Sequence, residues 1–187
     1  GADPVTLIDA QVALAWEIRR SDPARANALA TEARQLAIEH GYTLGQAKAA
    51  RTMTLSIVND EGLRAVFHLA DEAIRLFDEA DDGPGRAAAR DFMASLREFT
   101  GDLAGGLELA LDALSIAREI DDPIRQGYAL SSVGGILAAS GQVDTGIERL
   151  KEALVLFESA DDPTGIGTIC SRLAKVLKDS GRYPEAQ

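Results

Sequence analysis

The chain has 187 residues, 46% hydrophobic but only 5% aromatic, and carries a formal charge of −11. That charge repels phosphate backbones and acidic lipid, which argues against direct nucleic-acid binding and against membrane adsorption. No apolar run approaches the ~18 residues that a bilayer span needs, and the lone cysteine, Cys170, leaves no disulfide framework and fits a reducing, cytoplasmic compartment.

Apolar content that is mostly alanine and leucine favours close-packed helices over a sandwich of strands. In chain order, apolar residues spaced by three and four predict a helix over about 4–20. Ser21-Asp22-Pro23 then reads as an N-cap with proline in the first turn, opening a helix over about 22–40. Further helices are expected over about 44–59, 62–80, 84–100 and 102–120. Asp122-Pro123 and Asp162-Pro163 repeat the capping signal for helices over about 123–140 and 163–180, with one over 143–160 between them. Gly101, Gly141 and Gly181 read as stops of the helices before them.

The punctuation has a period of 40 residues. Gly101-Asp102-Leu103 returns as Gly141-Gln142-Val143 and as Gly181-Arg182-Tyr183. Asp81-Asp82 returns at Asp121-Asp122 and Asp161-Asp162, with Gly41-Tyr42 in the same place one period earlier. Each period holds two helices. Ile147, Leu150, Ala153, Leu154 and Phe157 share one face of the second, while Leu130, Val133, Gly134 and Leu137 share one face of the first. Such pairs bury their apolar faces against neighbouring pairs, because one pair alone cannot. Gly134 shares its register with Leu14, Thr54, Ala94 and Ala174, and Gly146 shares its own with Gly106 and Ala26. Small residues there are expected where helices touch closely.

Gly181-Arg182-Tyr183-Pro184-Glu185-Ala186, with the large-large-small-large pattern of Leu130, Val133, Gly134 and Leu137, resembles the tetratricopeptide repeat. No tryptophan opens any first helix, and 40 residues exceed that family's usual 34. The resemblance implies an all-α, right-handed α-solenoid of antiparallel helix pairs, one domain over 1–187 with about four and a half repeats. Forty-residue versions resemble arrays ahead of output domains in bacterial signalling proteins: diguanylate cyclases, adenylate cyclases, histidine kinases and transcription activators. The stretch from Leu14-Ala15-Trp16 to Ala24-Arg25-Ala26 is similar to the start of such arrays. Gly1-Ala2 reads as a cloning remnant, and the whole as a piece of a longer protein.

In a solenoid of this kind the first helices line a concave groove, and offset from the packed positions places its residues. They are Lys48, Arg51, Thr52 and Asn59; then Asp91, Phe92, Ser95 and Phe99; then Tyr128, Ser131 and Ser132; then Ser171, Arg172, Lys175 and Lys178. Phe92 and Phe99 are seven apart on one helix face, which points either into the groove or into the core. Arg172, Lys175 and Lys178 form a basic stripe suited to an acidic peptide, a carboxylate or a phosphate. The family's clamp for a C-terminal carboxylate wants asparagine one turn after a groove lysine, and Leu55 follows Arg51 instead.

Nothing converges for catalysis. His40 and His68 lack partners at ligand spacing, the Asp-Asp pairs recur as helix caps rather than metal ligands, and Cys170 shares its register with Leu130 and is expected in the core. No cofactor or metal is expected. The leading functional expectation is a protein- or peptide-binding module, not an enzyme, that regulates an attached output domain. A small-effector sensor and a homodimerisation platform are the alternatives.

Overall fold

The computed structural model describes residues 3–56 and 62–181, and among them every regular element is a helix. In order these are α1 (Pro4–Ile18), α2 (Pro23–Glu39), α3 (Thr43–Ser56), α4 (Gly62–Glu79), α5 (Gly83–Thr100), α6 (Leu103–Glu119), α7 (Pro123–Ala139), α8 (Val143–Ser159) and α9 (Pro163–Asp179). The chain divides into two compact units, Gly1–Ala89 and Arg90–Gln187, with the division falling within α5.

Each boundary has a local cause. The Asp22, Asp102, Asp122 and Asp162 carboxylates accept from backbone N–H groups of Arg25 (3.1 Å), Gly105 (3.0 Å), Arg125 (2.9 Å) and Gly165 (3.2 Å). Those donors have no intrahelical partner, so each cap stabilises its helix by about 1 kcal/mol. The first aspartate of each Asp-Asp pair has another task. Asp81, Asp121 and Asp161 sit at φ of 50°, 51° and 51°, the left-handed conformation that ends a helix, as Gly41 does at 64°. The residue after each closes the turn: Asp122 N–H donates to Ala117 O at 3.0 Å and Asp162 N–H to Phe157 O at 3.0 Å.

In the first unit, alanines bring helices together. Ala26, Ala30, Ala33 and Ala37 on α2 are all fully buried, against Ala15 on one side and Ile8, Val12 and Ala49 on another. A further cluster joins Ala47 and Ala50 of α3 to Ala73, Leu76 and Phe77 of α4. Phe77 lies under the first turn of α5, where a Cβ on Gly85 would come within 2.1 Å of its ring. In the second unit Phe157 lies under Gly165 in the same way. There Leu130, Leu150, Phe157 and Ile169 form one core, and Ala94, Ala110, Val133 and Ile136 another.

Gly134 and Gly146 make the closest approach. A Cβ on Gly134 would stand 2.8 Å from the Gly146 carbonyl oxygen, and one on Gly146 would stand 2.6 Å from the Gly134 carbonyl oxygen. Neither backbone can yield, so glycine is the only residue that fits at either place.

Two expectations from the register fail. Leu14 is 44% exposed instead of buried, and Leu7, two turns earlier, is equally exposed. α1 is turned by one residue, so that Ala15 meets Ala26 and Ala30. A leucine is too large for the close contact that Gly134 makes, and the alanine beside it takes that place. Cys170 is exposed rather than in the core, while neighbouring Ile169 is fully buried. Leu130, its register-mate, is covered by Leu150 and Phe157 of α8. No described helix follows α9, so that face of α9 has no cover among the described residues.

Candidate functional site

In the second unit α5, α7 and α9, three successive first helices, surround a cavity of about 660 Å³. Asp91, Ser95 and Glu98 form one wall. Their spacing of four and three puts them on one face of α5. Tyr128, Ser131, Ser132 and Gly135 of α7 form the middle, and Thr168, Ser171, Arg172 and Lys175 of α9 form the other wall. The Tyr128 ring is held edge-on against Phe157, centroids 4.8 Å apart, which roots the cavity lining in the core.

Arg172 crosses this groove. Its Nη2 donates to Glu98 Oε2 at 2.6 Å and its Nη1 donates to the Ser131 carbonyl at 2.8 Å. Gly135 leaves the room required, since a Cβ there would lie 2.9 Å from the guanidinium carbon. The two side chains are 25% and 18% exposed, so the pair is partly desolvated and ties α9 to both other first helices. The expected basic stripe is therefore divided. Arg172 is engaged within the groove, Lys175 stands at its mouth 74% exposed and 4.0 Å from Asp179, and Lys178 is exposed outside the lining.

Asp91 stands on the α5 wall of the lining. Its Oδ1 accepts from the Ser132 hydroxyl at 2.6 Å. Burial pushes its carboxyl above the ordinary value. The Ser132 hydrogen bond and the charges of Arg172 and Arg125 pull it back, and Glu98 pushes it further up. Among the described residues no cation reaches ion-pair distance of Asp91: Arg172 is committed to Glu98, and Arg125 pairs with Asp122 at 3.3 Å.

Phe92 is half-buried and Phe99 is 82% exposed, and neither lines the cavity. Met93 and Ala94 between them are buried, and Phe99 points away from the core.

The first unit holds a smaller cavity of about 390 Å³ between α1 and α3, lined by Lys48, Arg51 and Thr52 together with Asp9, Trp16 and Glu17. Lys48 Nζ donates to Asp9 Oδ1 at 2.8 Å, and the Tyr42 hydroxyl donates to Asp9 Oδ2 at 3.1 Å. Burial lowers the Lys48 pKa, but the Asp9 hydrogen bond and charge, with Tyr42 and Asp82, outweigh it and leave it raised. The guanidiniums of Arg19 and Arg51 lie 3.8 Å and 4.4 Å from the centre of the Trp16 ring. Thr52 is fully buried and donates to the Lys48 carbonyl, which makes it a packing residue. Asn59 lies outside the described residues.

Sequence reasoning missed Glu98 and Gly135, although Glu98 lies two turns from Asp91 and was legible by spacing. It missed Asp9, Trp16 and Glu17 because α1 presents a face shifted by one residue. Among the described residues no group of three or more His, Cys, Asp or Glu side chains could hold a metal ion.

Solved structures place the architecture. Two crystal structures of the nearly identical TPR-like repeats of a putative kinesin light chain from Podosopora anserina, the second of a single-residue variant, match all of this chain and 92% of theirs, with TM-scores of 0.68 and 0.69. The fold is a TPR-like helical-repeat solenoid. Sequence identity to the two is 17% and 16%, so the likeness is one of fold. BtubC (BKLC) from P. vanneervenii matches more loosely, at 15% identity and a TM-score of 0.52, over all of this chain and 87% of its own. No family model and no curated protein matches the sequence.

Proposed function

We propose that this chain is a binding module, not an enzyme, and that the groove of its second unit takes a segment of a protein partner. The observation that carries this reading is the cavity of about 660 Å³ on the first-helix face, where a row of hydroxyls and charges stands beside the apolar Ala138, Ala139, Val143 and Val176. Hydroxyls both donate and accept, so a row of them suits a peptide backbone, whose own groups alternate between the two. We place the module in a bacterial cytoplasmic signalling protein, where partner binding biases an attached output domain such as a diguanylate cyclase. The forty-residue period supports that context.

Capture from a native cytoplasm tests it, with the wild-type chain and Ser171→Trp as parallel baits. Ser171 is exposed on α9 at the cavity, so tryptophan fills the groove without disturbing the core. A protein held by the wild type and lost by the variant supports the groove. Equal retention by both rejects it as the partner site.

The cavity volume also falls within the ~300–1,000 Å³ of small-molecule sites, which favours a small effector as the second reading. A ligand that raises the melting temperature of the wild type but not of Ser171→Trp would select it. Self-association through another face would appear as a concentration-dependent mass.

A further inference from the structure

We propose that the groove of the second unit recognises a basic side chain, lysine or arginine, carried by an extended segment of the partner, with Asp91 as the anchoring carboxylate and Ser95 beside it. This rests on the reading of that groove as the partner site. Asp91 opens onto the cavity and is held on one side only, by the Ser132 hydroxyl. Every cation near it is engaged elsewhere, Arg172 with Glu98 and the Ser131 carbonyl, Arg125 with Asp122. A carboxylate removed from water without a direct cation is costly, and an ammonium or guanidinium from outside would supply what is missing.

The groove already shows that it accepts this chemistry. The Arg172 guanidinium lies against Glu98, the Ser131 carbonyl and the bare backbone of Gly135, a guanidinium seat made of one carboxylate, one carbonyl and one glycine. Two turns along the same wall, Asp91 and Ser95 repeat the acidic half of that seat, with no cation among the described residues paired to it. Charge agrees on the larger scale, since a chain at −11 attracts basic segments and repels acidic ones. Of the stripe Arg172, Lys175 and Lys178 on which the acidic-partner expectation rested, Arg172 is held by Glu98.

The groups that set the charge on Asp91 are Glu98 on its own helix, Ser132 and Arg125 on α7, and Arg172 on α9. A bound cation favours ionised Asp91, so binding strengthens as pH rises through the range where Asp91 loses its proton.

The test uses fluorescence anisotropy with three labelled peptides of equal length: alternating serine and lysine, the same peptide with every lysine acetylated, and alternating serine and glutamate. We expect the lysine peptide to bind tightest. Asp91→Asn should weaken it about tenfold, the loss of one charged hydrogen bond. Glu158→Gln, which removes one exposed negative charge on α8, outside the groove lining, should change it less than twofold. Acidification should weaken the wild type and spare Asp91→Asn. Melting of Asp91→Asn checks that the variant is folded. Tighter binding of the acetylated or acidic peptide overturns the basic preference and leaves the groove standing. Equal losses from Asp91→Asn and Glu158→Gln show only diffuse attraction and overturn the anchor. No binding by any of the three overturns the inference, while the capture experiment judges the groove separately.

Discussion

Replacing Gly134 by alanine should destabilise the second unit, although glycine-to-alanine changes within helices usually do the opposite. In an exposed helix the change gains about 0.8–1 kcal/mol, because glycine forfeits more chain entropy on folding. At Gly134 the new methyl would lie 2.8 Å from the Gly146 carbonyl oxygen and 2.8 Å from Leu150 Cγ. Leu150 can shift its rotamer, but a helix backbone oxygen cannot, so α7 and α8 must separate. Overpacking of this kind costs about 1–3 kcal/mol, and about 2–3 against a backbone oxygen that cannot move aside, which leaves a net loss of about 1–2 kcal/mol after the propensity gain. Gly167 on α9 is the internal control. It is exposed and helical, and a Cβ there meets nothing within 4 Å. Gly167→Ala should therefore stabilise by up to about 1 kcal/mol. Urea denaturation followed by circular dichroism reads both, and at this size each kcal/mol moves the melting temperature by roughly 2–4 °C. Opposite signs are the expected result. A Gly134→Ala chain as stable as the wild type would refute close backbone contact as the reason for that glycine.

Arg172→Ala should cost about 1–3 kcal/mol, because it strands the Glu98 carboxylate and removes a donor from the Ser131 carbonyl; a double-mutant cycle with Glu98→Gln should show the two losses coupled. Asp122→Ala should cost about 1 kcal/mol by removing the cap on the Arg125 N–H, whereas Asp121→Gly should be neutral or stabilising, since its φ of 51° suits glycine better; thermal melts separate the two. Asp91 should act against stability at neutral pH. Its pKa is raised on folding, so the folded chain binds the proton more tightly, and this favourable term is lost as pH rises through the folded-state value. Asp91→Asn should then be more stable than the wild type at pH 7, and the difference should vanish below the ordinary carboxylate value of 3.8. A pH series of urea midpoints checks this.

The helices themselves were written locally. A cap needs only an aspartate three residues before an unpaired N–H, and a stop needs only a residue that tolerates positive φ, so Asp122-Pro123 and Gly141 announce their boundaries without reference to the rest of the chain. The forty-residue period then implies stacked pairs, because identical half-buried faces must cover one another. The Gly134 contact was legible for the same reason, as a costly residue repeated against small ones in one register.

What only the tertiary structure decided concerns which face a helix presents and which charge meets which. α1 carries apolar residues at both Leu7, Leu14 and Ile8, Val12, Ala15, and periodicity cannot choose between strips one residue apart; the tight Ala26 and Ala30 surface of α2 does, by admitting Ala15 and refusing Leu14. Cys170 shares Leu130's register but not its covering helix. Arg172 reads as one of three free cations until a carboxylate 74 positions away in the chain, brought alongside by packing, takes its charge. Caps, turns and amphipathic spacing depend on neighbours within four residues and can be read from the sequence. The pairing that leaves Asp91 without a cation depends on three helices meeting, and no sequence spacing encodes that distance.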